Sequence, residues 1–283
     1  MEIKKVGVVG CGLMGSGIAQ VSAQAGYSVV VSEANEELLD KGLEGIKRFL
    51  AKGVERGKVT PEEMEATLSR IQGTVKIEDF KGCDLVIEAA VENMDLKKQI
   101  FASLDRICPP HAVLASNTSS LSITEIASAT KRGDKVLGLH FFNPVPLMRL
   151  LEIVRTILTS EETLRVAQEF GQSLGKEMVV AKDAPGFIVN LLLIPFLLDA
   201  VRAYESGLAT KEDIDKSMVL GLNHPMGPLT LLDLLGLDTS LFIADAMYGE
   251  FKDTRYAAPP LLRRMVMAGH LGRKAGKGFY NYT

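Results

Sequence analysis

The sequence predicts an α/β chain: a doubly wound, mostly parallel sheet with helices on both faces, followed by an all-helical C-terminal domain. Three observations predict it. Short apolar runs alternate with helical patterns over roughly the first 180 residues; those runs are continuously apolar; and beyond them only helical periodicity remains. A strand with apolar side chains on both faces must be covered on both faces, as in a parallel sheet sandwiched by helices.

In order, KKVGVVG leads into SGIAQVSAQAG, and SVVVSE into NEELLDKGLEGIKRFLAKGVERG. CDLVIEAA is followed by LKKQIFASLDRI, AVLASN by SITEIASAT, and KVLGLHFF closes the alternation. After KEMVVAKDAPGF the pattern predicts helices over 188–206, 211–219, 229–236, 240–249 and 260–268. Thr210, three residues ahead of Asp213, is an N-cap signal, and Gly207 stops the helix before it. The seam falls at Asp183-Ala184-Pro185-Gly186, which divides the chain into domains of 1–184 and 185–283. Each is long enough to bury its own core.

Composition narrows the function. With 47% hydrophobic residues, 24% charged residues and a net charge of −3, the chain reads as an ordinary globular protein without the field that draws nucleic acid. Cys11, Cys83 and Cys108 are scattered, with neither metal-ligand spacing nor a disulfide framework, so no metal is expected and a reducing, cytoplasmic compartment fits. The start MEIKKVGVVGCG lacks the apolar region of a signal peptide. The longest apolar run, FIVNLLLIPFLL, is 12 residues interrupted by Asn190 and Pro195. A bilayer needs about 20, so this run reads as a buried helix and no membrane is implied.

VGVVGCGLMGSG places Gly10, Gly12 and Gly15 in the spacing G-x-G-x-x-G, after a strand and opening a helix. The glycines permit a tight turn, close approach of backbone to a pyrophosphate and close packing of helix on strand, while the helix N-terminus attracts the anion. Glu33 stands at the end of the next strand, where a carboxylate accepts from both hydroxyls of an adenosine ribose. The first domain therefore reads as a Rossmann-type dinucleotide-binding fold. A carboxylate there repels a 2′-phosphate, and VSEANEE offers no arginine to receive one, so NAD is expected ahead of NADP. FAD is disfavoured by the all-helical second half.

A base that works near neutral pH is most often histidine, and the chain has four: His111, His140, His224 and His270. His111 follows two prolines, His224 lies in NHPMGP and His270 in a glycine-rich stretch. His140 differs, because it sits at the C-terminal edge of a strand, where open α/β sheets bind their ligands. Glu152 lies on the return strand, and pairing across Asn143-Pro144-Val145-Pro146 would set it beside His140. A carboxylate on one ring nitrogen fixes the tautomer and stabilises the imidazolium formed when the other nitrogen takes a proton. A buried ion pair that merely holds a hairpin remains open at this point.

GCGLMGSGIAQ, DLVIEAAVENMDLKKQIFASLD, ASNTSSLSITEIA, GLHFFNPVPLMRLLEIV, DAPGFIVNLLL, NHPMGPLTLLDLLGLD and GRKAGKGFYNY together resemble the L-3-hydroxyacyl-CoA dehydrogenases, and among them the stand-alone bacterial 3-hydroxybutyryl-CoA dehydrogenases. The resemblance runs from Lys5 to Tyr282. It implies that His140 is the general base and Glu152 its partner, and that Ser119 and Asn190 hold the substrate's reacting oxygens. It further implies that Gly10, Gly12, Gly15, Glu33, Glu92, Lys97, Asn117, Asn143 and Lys274 surround NAD. KRFLAKGVERGKV matches the family's CoA-binding helix, with Arg56 and Lys58 at or next to its phosphate-binding lysine. Independently of the family, Lys47, Arg48, Lys52, Arg56 and Lys58 form a basic cluster in an acidic protein. The implied substrate is an acyl-CoA thioester and the implied assembly a homodimer through the helical domain.

Three positions depart from the family pattern: Glu33 replaces the usual aspartate, Ser32 a bulkier residue and Arg149 the usual lysine. Two other readings compete. One is a non-catalytic nucleotide-binding protein of the lens-crystallin kind, against which Ser119, His140, Glu152 and Asn190 are all present. The other is a dehydrogenase of a free 3-hydroxy acid such as gulonate or carnitine, which would have no use for the cluster around Arg56 and Lys58.

Overall fold

In the computed structural model, which describes residues 2–282, the chain divides into two compact units, Met1–Asp183 and Ala184–Thr283. The apolar runs of the first unit become β1 (Lys5–Val9), β2 (Ser28–Ser32), β3 (Ile71–Thr74), β4 (Leu85–Glu88), β5 (Val113–Ser116), β6 (Val136–Phe141), β7 (Leu150–Arg155) and β8 (Glu177–Lys182). They form one sheet in the order β3-β2-β1-β4-β5-β6-β7-β8. Every neighbouring pair is parallel except β6 with β7.

Helices α1 (Leu13–Gln24), α2 (Glu36–Glu55), α3 (Pro61–Ser69), α4 (Met94–Ile107), α5 (Ile123–Ala127) and α6 (Glu161–Ser173) belong to the same unit. β4, β5 and β6 are buried at every residue, so each strand pays its conformational entropy with apolar area on both faces. Full burial of a Val, Leu or Ile side chain stabilises by about 1.5–3 kcal/mol, and β1, β2, β4 and β6 contribute Val6, Val8, Val29, Val31, Leu85, Ile87, Leu137 and Leu139 to one core.

The strand order reverses between β1 and β4, which opens a crevice at their C-terminal ends. Hydrogen bonds continue past those ends: Gly10 N–H donates to the Ser32 carbonyl at 2.8 Å, Ala89 N–H to Val9 at 2.7 Å and Asn117 N–H to Glu88 at 2.7 Å. The loops that carry the candidate residues thus leave the sheet along a shared, hydrogen-bonded edge.

Three elements lie outside the runs singled out by periodicity. α3 is short, but its start is encoded: Thr60 Oγ1 accepts from Glu63 N–H, Glu63 returns a carboxylate to Thr60 N–H, and Pro61 occupies the first turn. β3 is an edge strand with one buried residue, so its sequence IQGT has no apolar signature. α6 begins at the Ser160 cap, whose side chain accepts from Thr163 N–H. Asp183, expected only as part of a seam, caps α5: its carboxylate accepts from the N–H groups of Ile123 and Thr124 and from Ser122 Oγ.

The second unit contains α7 (Val189–Glu205), α8 (Lys211–Leu222), α9 (Pro228–Leu235), α10 (Leu237–Phe251) and α11 (Pro260–Met267). α8 runs three residues past its expected end because Asn223 supplies the left-handed stop, at φ 56°. α10 starts early because Gly236, at φ 98°, allows the chain to turn directly out of α9. Ile194, Leu197, Leu229, Leu232, Ala244 and Met247 form part of its core. Two buried aspartates complete it. Asp215 accepts from Leu229 and Thr230 N–H groups, and Asp233 from those of Phe279 and Tyr280, which ties the C-terminal segment to α9. Among the described residues no helix is long and apolar enough to cross a membrane, and no group of three His, Cys, Asp or Glu side chains could hold a metal ion.

Candidate active site

The dinucleotide loop begins where β1 ends. Gly10 has φ 97°, and a Cβ there would meet the Ala89 carbonyl oxygen at 2.7 Å. At Gly15 a Cβ would fall 1.8 Å from the Gly10 carbonyl oxygen, so this glycine brings α1 against the strand. Gly12 is different: a Cβ would meet nothing within 4 Å and would project into open space. Gly12 is also the N-cap of α1, with no side-chain cap and no acidic residue in the first turn. An uncapped helix N-terminus with a clear backbone approach fits a diphosphate.

Glu33 follows β2 and faces that loop. Its Oε1 accepts from Cys11 N–H at 2.9 Å and its Oε2 from Ala34 N–H at 2.9 Å, which leaves each oxygen a second lone pair for a ribose hydroxyl. Burial, reinforced by the Glu33 charge, pushes the Cys11 thiol up to about 12, so this cysteine is an inert packing group.

β6 and β7 set His140 directly opposite Glu152 in the antiparallel register. His140 Nδ1 lies 2.6 Å from Glu152 Oε2, and Glu152 has no exposed surface. The carboxylate only accepts, so Nδ1 carries the hydrogen and the lone pair belongs to Nε2. Phe142 packs on the imidazole with ring centroids 4.5 Å apart. Asn117 braces the same strand end, because its Oδ1 accepts from Phe141 N–H at 2.9 Å.

A charged cluster stands two strands from His140, at the C-terminal end of β4. Glu88, at the end of β4 and fully buried, accepts from Lys97 Nζ at 2.7 Å, Ala90 N–H at 2.7 Å and Ser116 Oγ at 2.6 Å. Lys97 Nζ lies 3.2 Å from Glu92 Oε2. The other Glu92 oxygen accepts from Thr118 Oγ1 at 2.8 Å and from Ser119 N–H at 3.0 Å, with Ser119 Oγ at 3.4 Å. Sequence reading passed over Glu88 and Ser116. Each ends an apolar strand, much as His140 stands one residue before the end of β6, and that polar interruption was the available signal.

Of the remaining candidates, Asn143 is exposed on the loop between β6 and β7, with a cis bond to Pro144. Arg56 caps the C-terminal end of α2 and Lys58 follows it, both exposed and separate from the crevice loops in the chain. Asn190 lies in the first turn of α7 and Lys274 pairs with Asp238 at 2.7 Å; both belong to the second unit. The other histidines have separate settings. His111 is exposed, 3.0 Å from Asp84 Oδ1, and His224 packs edge-on to Phe196 with centroids 5.7 Å apart.

The chain is similar to known proteins over its whole length. Residues 5–184 match the family model of the 3-hydroxyacyl-CoA dehydrogenase NAD binding domain, and residues 186–282 that of the 3-hydroxyacyl-CoA dehydrogenase C-terminal domain. A 3-hydroxybutyryl-CoA dehydrogenase from Mycobacterium tuberculosis is 53% identical over 282 residues, covering 99% of both chains. The human mitochondrial hydroxyacyl-coenzyme A dehydrogenase is 46% identical over 287 residues, covering 99% of this chain and 91% of its own. The crystal structure of FadB2 from M. tuberculosis superposes with a TM-score of 0.99 at 52% identity, with full coverage of both chains. That of the (S)-3-hydroxybutyryl-CoA dehydrogenase from Ralstonia eutropha gives 0.95 at 43% identity, also with full coverage. On two consecutive domain matches and this identity over its whole length, the chain belongs to the 3-hydroxyacyl-CoA dehydrogenase family of NAD-binding oxidoreductases.

Proposed function

We propose that the chain interconverts L-3-hydroxybutyryl-CoA and acetoacetyl-CoA, using NAD and the His140–Glu152 pair. The observation that carries the reading is the 2.6 Å contact of His140 Nδ1 with a wholly buried carboxylate at the ligand edge of the sheet. An unpaired carboxylate in that position would carry a large desolvation cost, whereas one that holds an imidazole stabilises its charged form.

The loop from Gly10 to Gly15 and the N-terminus of α1 would hold the diphosphate of the dinucleotide, and Glu33 its adenosine ribose. When bound, the nicotinamide supplies the acceptor for the hydride that leaves substrate C3. His140 Nε2 takes the proton of the C3 hydroxyl, so the alcohol loses a hydride and a proton and becomes the ketone. In the reverse direction the imidazolium returns that proton. Glu152 keeps the ring in the productive tautomer and offsets its positive charge. Proton transfer by a positioned base is worth about 10²–10⁴-fold. Ser119, held by Glu92, orients a reacting oxygen, and Asn190 keeps the equivalent role that the resemblance implies.

Glu33 favours NAD over NADP, because the adjacent residues Glu36 and Glu37 add negative charge at the start of α2. Arg56 and Lys58 serve CoA phosphates, which sets the thioester reading above a free 3-hydroxy acid. Exposed Leu208, Leu220, Leu222 and Met267 on the second unit support a homodimer formed through its helices; sedimentation measurements on the purified protein check that point.

Steady-state assays with 3-ketoacyl-CoA substrates from C4 to C16, each with NADH and NADPH, test the whole reading. The expected result is highest kcat/KM for acetoacetyl-CoA with NADH. No oxidation of NADH with any thioester would overturn it, and activity restricted to free 3-hydroxy acids would select the competing substrate class.

A further inference from the structure

Asp183, the last residue of the first unit, is fixed to the segment that carries Ser119. Residues 117–122 join β5 to α5 without regular structure, so side chains supply acceptors that a strand or helix would provide. Up to Ser119 the supports come from the sheet edge. Asn117 N–H donates to the Glu88 carbonyl at 2.7 Å, and Asn117 Oδ1 accepts at 2.9 Å from the N–H of Phe141, the residue after His140. Beyond Ser119 the support is Asp183. Its Oδ1 accepts from Ile123 N–H at 3.0 Å, and its Oδ2 from Thr124 N–H at 2.6 Å and from Ser122 Oγ at 3.1 Å. Ser122 Oγ accepts in turn from Glu125 N–H at 3.2 Å. The first three N–H groups of α5 are thus taken by two side chains, one of them 60 residues away in the chain.

α5 has only five residues, too few to hold its start in place by helix formation alone. The carboxylate also meets the positive end of the helix dipole. Asp183 is itself anchored, because its N–H donates to the Arg155 carbonyl at 3.0 Å and so extends the pairing of β7 with β8. Ile123 and Ile126 are buried. Loss of the Asp183 carboxylate therefore leaves α5 packed on its apolar side and frees the turn ahead of it, where Ser119 lies.

We propose that Asp183 is a positioning residue for Ser119: it holds the turn behind the serine so that the hydroxyl meets the substrate's reacting oxygen in the geometry that proton transfer to His140 requires. The inference rests on the dehydrogenase reading above and on the place of Ser119 in it. Reacting groups tolerate little displacement, and a shift of about 1 Å imposed from outside the chemistry costs up to about 10²-fold in rate. Asp183 acts through Ser119 alone, which separates it from a residue that merely supports the fold.

The test is a double-mutant cycle on acetoacetyl-CoA reduction by NADH, with wild type, Asp183→Ala, Ser119→Ala and the double variant. Asp183→Ala should lower kcat/KM about tenfold, while Kd for NADH, read from the dinucleotide's own fluorescence, stays unchanged. In the Ser119→Ala background the same change should cost less than about twofold, because the hydroxyl it positions is gone. Asp183→Asn keeps the size and one acceptor oxygen and should recover part of the loss. A full tenfold loss in the Ser119→Ala background would show Asp183 acting on some other group and overturn the proposal. Wild-type turnover in Asp183→Ala, wild-type turnover in Ser119→Ala, or a weakened hold on NADH in Asp183→Ala would overturn it as well. Thermal melting establishes that each variant is folded, and Asp183→Asn enters the cycle if the alanine protein does not fold. Failure of both to fold makes Asp183 a residue of the fold and ends the proposal. A wild type that oxidises NADH with no thioester overturns the dehydrogenase reading and this inference together, whereas an active wild type with additive losses overturns the inference alone.

Discussion

The Lys176 ammonium donates to the Val145 carbonyl oxygen at 2.6 Å, and with a second proton to that of Met148 at 2.7 Å. Val145 is itself buried against α1, where a Cβ added to Gly17 would come within 2.8 Å of it. The loop that joins the strand of His140 to the strand of Glu152 is therefore pinned twice, by the dinucleotide-side helix and by a lysine just ahead of β8.

Lys176→Met leaves those carbonyls without their donor, at about 1–3 kcal/mol for each group that stays buried. Burial also pushes the Lys176 ammonium below its ordinary value of 10.5. Between the lowered value and 10.5 the unfolded chain binds more protons than the folded one, so this group's contribution to stability rises with pH across that window. The variant lacks that gain. Melting temperatures of both proteins should thus differ by several degrees at neutral pH and by more near pH 10; a gap that narrows on the alkaline side would count against the buried charge.

His140→Gln should bind NAD⁺ normally and lose at least about 10²-fold in kcat, because only proton transfer is removed. Glu152→Gln retains an acceptor for Nδ1–H but loses the charge behind the imidazolium. Its kcat should fall with a melting temperature within a few degrees of wild type. Normal turnover per folded molecule in a strongly destabilised Glu152→Gln protein would make the pair a structural one.

Gly12 and Gly15 separate binding from folding. Gly15→Ala drives a Cβ onto the Gly10 carbonyl, 1.8 Å away, and should destabilise by about 1–3 kcal/mol as an overpacked contact. Gly12→Ala meets no atom within 4 Å, so melting should change little while NAD⁺ affinity drops tenfold or more through loss of the close backbone approach. Equal affinity in the Gly12 variant would remove the diphosphate from this loop.

Arg56 and Lys58 are exposed at the end of α2, remote from C3 in the proposed reaction. Changing both to Ala should raise KM for acetoacetyl-CoA and leave kcat nearly constant, since the contact is equal in ground and transition states. A thioester lacking the nucleotide should not register the change, and high salt should shrink it, with a Debye length of roughly 8–10 Å at ordinary ionic strength. Indistinguishable KM values at low salt would return these side chains to a solvated helix end.

Much of the architecture was legible because its signals are local. Continuous apolar runs report strands buried on both faces, and the glycine spacing after β1 reports a backbone that must turn and be approached. The pairing of His140 with Glu152 was legible for a related reason: two strands of one hairpin can meet only in a few registers, and a polar residue in each narrows the choice. Thr60, Pro61 and Glu63 encoded the start of α3 just as locally, although that short helix lacks an extended apolar pattern.

What the amino-acid order determined by itself is therefore the layered fold, the dinucleotide loop and the histidine–carboxylate hairpin, all set by residues near one another in the chain or by a periodicity along it. The tertiary structure alone decided the rest. Ser116 reaches Glu88 across 28 residues, Lys176 reaches Val145 across 31, and Asp183 caps a helix that begins 60 residues earlier. These are charges and donors whose partners lie on other strands and loops. No local pattern marks such a pair, because burial makes each group depend on whichever partner the completed sheet brings within hydrogen-bonding distance, and that choice exists only once the strands are in order.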